Sequence, residues 1–213
     1  QASLPAAAVG NAGEYDLILA GSQWNTAVLR AHGLANVHTI RQGVDTTVFS
    51  PDPRSAVHGI LSNTIEATGH DKSAMLHVNR GAGDYRGLRG DLDLTGKFVV
   101  FSGGKLEARK GQDILIAAFR KFCSRHTDAV LVAAWHNYWP EYMRGISAAG
   151  HVVGHPATEG HRIFFGPWLT ANGVPAQNFY DMGETTHLQL SKLLKRADAS
   201  VFANRAEGGT NLV

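Results

Sequence analysis

The hydrophobic positions of this chain fall into short apolar runs that are bounded by turn residues. Such runs are typical of strands buried in a parallel sheet. The clearest runs are residues 16–20, 37–40, 97–101 and 129–134, with further strand candidates at 162–165, 178–180 and 200–202. Because amphipathic segments separate several of these runs, the sequence predicts a doubly wound α/β fold with a parallel sheet.

Three segments have the periodicity of helices. Ser22 is placed to cap the first, which carries Trp24, Val28 and Leu29 and stops at His32-Gly33. The second follows Gly111 and the third spans residues 185–197. Their predicted apolar stripes are Ile114, Leu115, Ala118, Phe119 and Phe122 in the second helix, and Leu190, Leu193, Leu194 and Ala197 in the third.

The periodicity is lost between residues 54 and 94, where Gly, Ser, Asn, Asp and His dominate. We predict an irregular insertion there. Residues 1–53 then hold one strand-helix-strand unit, which is too short to be a domain by itself, and the loop that follows it. Strands and helices alternate again in residues 95–213, which we predict to form a domain.

Composition limits the classes of protein to which the chain can belong. Hydrophobic residues make up 44% and charged residues 18%, which is ordinary for a folded domain. A formal net charge of +2 does not indicate nucleic acid or a membrane surface as partner, and no apolar run is long enough to cross a bilayer. The single cysteine, Cys123, favours a reducing compartment, so we expect a cytoplasmic protein with a buried thiol.

Ligands of doubly wound sheets bind beyond the carboxyl ends of the strands, so the loops that follow strands carry the functional information. The first such loop begins with Gly103, Gly104 and Lys105 and ends with Lys110 and Gly111. Its glycines allow a ligand to approach the backbone, and a helix N-terminus favours an anion. Both lysines can reach one phosphate group. A solvated, charged turn is the alternative interpretation.

The second loop comes directly after the last predicted strand. Glu207 precedes a turn whose backbone N–H groups can face a ligand, and its carboxylate can accept hydrogen bonds from hydroxyl groups. An ordinary solvated carboxylate is again the alternative. The candidate ligand-binding residues of this loop are Glu207, Gly208, Gly209, Thr210, Asn211 and Leu212.

The third loop, Trp135-His136-Asn137-Tyr138-Trp139-Pro140, follows the run at 129–134. Its aromatic residues and histidine can frame a sugar or a base, and a role in packing is equally open. Elsewhere, His151, His155 and His161 have neither a paired cysteine nor the His-Glu-x-x-His spacing of a zinc site. We predict no metal site.

Taken in order, these segments resemble the glycosyltransferases of the GT-B fold, in particular the large retaining group 1 family. Gln42-Gly43-Val44-Asp45, with Phe49 and Pro51, is similar to the family's interdomain Asn-Gly-Val-Asp…Phe-x-Pro segment. Gly104-Lys105 with Lys110-Gly111 resembles its Gly-Arg…Lys-Gly phosphate loop. The tail that the family shares is matched by Met182-Gly183, the leucine-rich helix, Ala197-Asp198-Ala199 and residues 207–212. The resemblance covers roughly residues 15 to 51 and 97 to 213.

The resemblance implies that residues 95–213 are a Rossmann-like donor-binding domain, the C-terminal half of a GT-B fold, cut short at its C-terminus. It also implies that residues 1–53 are the end of the N-terminal half and the interdomain linker. It implies transfer of a sugar from a nucleoside diphosphate donor, with retention and without a metal or other cofactor. Lys105 and Lys110 would clamp the diphosphate, and Glu207 would bind hydroxyl groups of the sugar. Backbone amides of residues 209–212 would hold sugar and phosphate oxygens.

The sequence departs from the family in several places. Lys105 replaces an arginine, which keeps the charge but loses the bidentate fork. The family's ribose-binding acid would fall beyond Val213, and most of its N-terminal, acceptor-binding half is absent. We therefore expect the isolated chain to bind donor weakly and not to transfer sugar. The acceptor, a carbohydrate, lipid or protein, is not specified by the sequence.

Two other functional classes remain open from the sequence. A nucleotide-sugar epimerase or a phosphorylase of the GT-B type would share the architecture. A non-catalytic domain that binds a nucleotide sugar or another protein would use the same loops as ordinary polar turns.

Overall fold

The computed structural model describes residues 3–41, 43–50, 60–61, 92–159, 162–182 and 187–206. The described residues fall into two compact units, one that ends at Asp45 and one from Thr46 to Ala206. The predicted domain boundaries at residues 53 and 94 stay predictions from the sequence. Among the described helices, none combines the length and the apolar character that crossing a bilayer requires.

The first unit is the predicted strand-helix-strand, preceded by a short helix. It contains α1 (Ala6–Gly13), β1 (Ile18–Ala20), α2 (Gln23–Ala31) and β2 (Val37–Thr39), with β1 and β2 parallel. The Ser22 hydroxyl accepts a hydrogen bond from the Asn25 N–H at 3.1 Å, which confirms Ser22 as the N-cap of α2. Gly33, with φ of 87°, follows the end of α2.

β1 is less buried than its apolar run predicts. Ile18 and Ala20 pack with Leu34 and Val37 in the small core of this unit. Side chains alternate between the two faces of a strand. Leu17 and Leu19 therefore project away from that core, and they are 55% and 56% exposed. The core of this unit lies on only one face of β1, and an apolar run in the sequence does not show this.

The second unit contains the main sheet and the helices that cover it. In chain order its strands and helices are β3 (Ile60–Leu61), β4 (Leu92–Asp93), β5 (Phe98–Lys105), α3 (Gln112–Cys123), β6 (Ala129–His136), β7 (Ala157–Glu159), β8 (Arg162–Phe164), α4 (Phe165–Ala171), β9 (Phe179–Asp181), α5 (His187–Arg196) and β10 (Ala199–Ser200). Short 3-10 helices span Ala108–Lys110, Pro140–Ser147 and Ala176–Asn178.

The main sheet is parallel, as the sequence predicts. Its described strands are ordered β10-β5-β6-β9, and each neighbouring pair is parallel. One face packs against α3, α4 and the 3-10 helix Pro140–Ser147 through a core that includes Leu131, Trp135 and Phe179. The other face packs against α5 through a core that includes Phe101, Val132 and Leu193. Both faces are covered, which explains the uninterrupted apolar run of β6.

Three local expectations need correction. The buried face of α3 comprises Gln112, Asp113, Leu115, Ile116, Phe119 and Cys123, so the predicted stripe was rotated from the real one. The helix buries two polar residues in its first turn, which an apolar pattern does not reveal. β8 pairs antiparallel with β7 in a hairpin outside the main sheet, and Phe165 already begins α4.

The insertion predicted for residues 54–94 lies mostly outside the described residues. Its described parts are the antiparallel pair β3 and β4 and the buried Leu94. The segment before the insertion contacts α5, because the Ser191 hydroxyl donates to the Val48 carbonyl at 2.6 Å. The rings of Phe49 and His187 lie 5.9 Å apart. Gln42 and Pro51 of the predicted linker are outside the described residues.

Candidate functional site

The first predicted site loop begins later than the sequence indicated. β5 continues through Gly103, Gly104 and Lys105, which pair with Ala134, Trp135 and His136 of β6. A Cβ added at Gly103 would lie 2.8 Å from the Phe101 ring, so this glycine serves packing. At Gly104, φ is 107°, and no atom of the residues that the structure describes lies within 4 Å of an added Cβ. Gly104 is therefore the glycine at which a ligand has open access to the strand end.

Three hydrogen bonds fix the backbone where β5 ends. The Leu106 N–H donates to the His136 carbonyl at 2.8 Å. The carbonyl of Leu106 accepts from the Asn137 amide at 2.8 Å, and the carbonyl of Lys105 accepts from the Gln112 amide at 2.7 Å. Gln112 and Asn137 are buried, so their amides replace water as partners of these carbonyls. Lys105 consequently projects from a rigid backbone.

The two predicted phosphate-binding lysines lie at the two ends of this loop. Lys105 is the last residue of β5, and its ammonium lies 4.5 Å from the centroid of the Trp139 ring. Lys110 is half-buried at the end of the 3-10 helix Ala108–Lys110. Arg109 is exposed, and its guanidinium contacts the Glu107 carboxylate at 2.7 Å.

Gly111 brings a second segment of chain against the loop. Its φ is 71°, in the left-handed region, and a Cβ there would lie 1.9 Å from the carbonyl oxygen of Ala203. Only glycine meets both constraints. The chain that follows β10 is therefore packed directly against the start of α3.

An ion pair between a buried carboxylate and a partly exposed arginine secures the same contact. Arg205 donates two hydrogen bonds to Asp113, at 2.7 Å and 2.6 Å, and a third to the Ala108 carbonyl at 2.6 Å. The Asp113 side chain is fully buried and that of Arg205 is one-third exposed. Hydrogen bonds to this carboxylate raise the pKa of Arg205 above its ordinary value. The Arg205 N–H also donates to the Arg109 carbonyl at 2.8 Å.

The strand order places these two segments at a change of direction in the sheet. From β5 the chain proceeds to β6 and then β9 on one side, and it returns to β10 on the other side of β5. The segments that leave the carboxyl ends of β5 and β10 therefore lie side by side. In open α/β sheets, a crevice at such a switch point is where ligands bind.

The predicted residues Glu207, Gly208, Gly209, Thr210, Asn211 and Leu212 lie outside the described residues. The described chain extends to Ala206, whose N–H donates to the Arg109 carbonyl at 3.3 Å. The structure thus fixes the segment that leads to Glu207 against the Lys105–Lys110 loop.

The sequence left two roles open for the third predicted loop, ligand contact and packing, and the aromatic residues of the loop differ in their burial. Trp135 is buried, and its indole N–H donates to the Ser102 hydroxyl at 3.1 Å, so Trp135 has a packing role. Tyr138 and Trp139 are each 49% exposed, and the Trp139 ring lies beside the Lys105 ammonium. The sequence did not distinguish the buried Trp135 from the exposed Tyr138 and Trp139. Side chains alternate between the two faces of a strand only as far as the strand extends, and β6 ends at His136.

Sequence reasoning assigned no role to the residues that hold the site together, namely Gln112, Asp113, Asn137 and Arg205. Each is polar, and three of them are buried. For Gln112, Asp113 and Asn137, the available signal was a polar residue at the end of a helix or strand. The pairing of Asp113 with Arg205, 92 residues later, has no signal in a single sequence.

Among the residues that the structure describes, no group of three or more His, Cys, Asp or Glu side chains is arranged to hold a metal ion. Cys123 is buried, as expected, and burial raises the pKa of its thiol. No protein-family model matches the chain, and no curated protein matches it significantly.

Proposed function

We propose that this chain is the donor-binding part of a retaining GT-B glycosyltransferase, which transfers a sugar from a nucleoside diphosphate to an acceptor. One observation carries the proposal. The Lys105–Lys110 loop and the segment that leads to Glu207 leave neighbouring strands at a switch point, and Gly111, Asp113 and Arg205 hold them together. The two loops that the sequence resemblance assigns to one ligand thus come from the same end of the sheet.

The chemistry of the transfer needs positive charge at this position. Negative charge grows on the diphosphate as the bond to the sugar breaks, and fixed cations stabilise that charge. Lys105 and Lys110 supply the cations, and the open space at Gly104 admits a phosphate oxygen. Residues 105–113 together with Arg205 hold four basic and two acidic side chains, so the local balance is positive.

The remaining roles follow the resemblance. Glu207 accepts hydrogen bonds from hydroxyl groups of the donor sugar, and residues 209–212 bind sugar and phosphate oxygens through their backbone amides. The two lysines take the place of a metal ion in neutralising the leaving diphosphate. The acceptor binds to a facing domain of the GT-B type.

Calorimetric titration with UDP, GDP and ADP tests the proposal. We expect saturable binding of at least one nucleotide, and a loss of affinity in Lys110→Ala that exceeds the loss in Lys121→Ala. Lys121 is an exposed lysine near the other end of α3 and serves as the matched control. Absence of heat with all three nucleotides, or equal affinity of Lys110→Ala and wild type, would overturn the proposal.

A further inference from the structure

An exposed aromatic cluster lies at the carboxyl end of β6. It consists of His136, Tyr138 and Trp139, and we call it the aromatic corner. The rings of His136 and Tyr138 are 5.6 Å apart, and those of Tyr138 and Trp139 are 6.3 Å apart with an angle of 83° between their planes. Tyr138 and Trp139 keep half of their surface exposed. Both rings are therefore partly accessible from solvent, although the Lys105 ammonium lies over the ring of Trp139.

The aromatic corner has a fixed backbone although its rings are exposed. The Trp139 N–H donates to the side-chain oxygen of Asn137 at 2.9 Å, and the Asn137 amide donates to the Leu106 carbonyl. Asn137 is buried, so this link is protected from water. Pro140 then fixes the backbone that follows Trp139. The same hydrogen bonds tie the corner to the loop that carries Lys105 and Lys110.

We propose that the face of Trp139 stacks against the base of the nucleoside diphosphate whose phosphates bind Lys105 and Lys110. This inference rests on the function proposed above. The Lys105 ammonium lies 4.5 Å from the centre of the Trp139 ring, so the cation and the ring face are adjacent. A phosphate that engages Lys105 draws the ammonium away from Trp139, and the ring face then becomes available to the base.

The position of the aromatic corner selects the base rather than the sugar as its ligand. The corner follows β6, whereas the Glu207 segment follows β10, and β5 lies between these two strands. In the proposed function the sugar hydroxyls bind on the β10 side. A diphosphate held at the end of β5 therefore directs its nucleoside toward β6. Stacking requires only a π-face, so this contact tolerates any base.

Affinity measurements on base-containing and base-free ligands test the inference. The probes are UDP, GDP, ADP and inorganic pyrophosphate, titrated into wild type, Trp139→Ala and Trp139→Phe. The control is Phe98→Ala, which removes a ring that is 37% exposed at the opposite end of β5. We expect Trp139→Ala to weaken nucleoside diphosphate binding about 5- to 150-fold, the range for loss of one base–aromatic stack. Pyrophosphate affinity should be unchanged, and Trp139→Phe should retain part of the lost affinity.

Each contrary outcome overturns a defined part of the account. Equal loss of affinity for pyrophosphate and nucleotides would mean that Trp139 only positions Lys105, and unchanged nucleotide affinity would mean that it contacts no base. Either result overturns the inference and leaves the proposed function standing. If wild type binds no nucleotide, both proposals fail. Should Trp139→Ala not fold, a base-dependent loss in Trp139→Phe is the supporting result, and its absence the refuting one.

Discussion

Removing the Arg205 guanidinium would test how the two site segments are held together. In Arg205→Ala the fully buried carboxylate of Asp113 loses two hydrogen bonds, at 2.7 Å and 2.6 Å, and its counter-charge. Breaking a buried ion pair from one side costs about 3–5 kcal/mol. Arg205 is one-third exposed, so water reaches the vacated position and lowers the cost toward about 3 kcal/mol.

A double-mutant cycle separates the ion pair from other effects of the substitution. Asp113→Asn removes the buried charge, so the Arg205→Ala/Asp113→Asn double variant should be more stable than the sum of the single losses predicts. A coupling energy of about 1–3 kcal/mol is expected for residues in direct contact. Arg125→Ala, at an exposed arginine just after α3, is the matched control and should change stability by less than about 0.5 kcal/mol.

Urea unfolding followed by tryptophan fluorescence measures these differences, because Trp135 and Trp168 are buried in the core of the second unit. A loss of about 3 kcal/mol corresponds to a fall in melting temperature of roughly 6–12 °C for a chain of this size. A loss below about 1 kcal/mol in Arg205→Ala, or strict additivity in the double variant, would refute the reasoning that Arg205 compensates a buried charge.

Other substitutions test single features of the structure. Gly111→Ala forces a side chain into the left-handed region and against the Ala203 carbonyl, so urea unfolding should show a loss of more than about 1–3 kcal/mol. Wild-type stability would contradict the close approach. Burial raises the pKa of Cys123, so the unfolded thiol ionises first as pH rises above its ordinary value of 9.0. Unfolding free energy should therefore fall above that pH by more in wild type than in Cys123→Ala, and equal slopes would contradict this. Asn137→Ala leaves the Leu106 carbonyl without its buried partner and should cost about 1–3 kcal/mol in the same assay, whereas no loss would show that water replaces the amide.

The periodic parts of the fold were predictable from the sequence. β6 is an uninterrupted apolar run because both of its faces are covered, and such a run predicts a buried parallel strand. The Ser22 cap was predictable because its hydroxyl bonds three residues along the chain. Features that depend on neighbours close in sequence were therefore accessible to pattern analysis.

Features that depend on distant contacts were not predictable. In the sequence, Gly111 is simply the last residue of a charged loop. Only the structure shows that the Ala203 carbonyl lies close to it. The first turn of α3 buries Gln112 and Asp113, so the predicted apolar stripe was misplaced. Leu19 is exposed because β1 packs against a core on only one of its faces. A strand of three residues is too short for its sequence pattern to reveal which face is buried.

The chemistry of the candidate site stays a prediction from the sequence. Glycine and lysine where a strand is followed by a helix indicate an anion site, and Lys105 and Lys110 were identified on that basis. The strand order and the Asp113–Arg205 pair, which join this loop to the segment after β10, required the structure.

The central claim is that the ligand binds at the carboxyl ends of β5 and β10. Hydrogen–deuterium exchange with and without a bound nucleoside diphosphate tests this claim most directly. We predict slower exchange at backbone amides of residues 104–111 and 202–206 on binding, with the hairpin of β7 and β8 unchanged as an internal reference. Saturating nucleotide that leaves these two segments unprotected, or that protects the hairpin instead, would contradict the account.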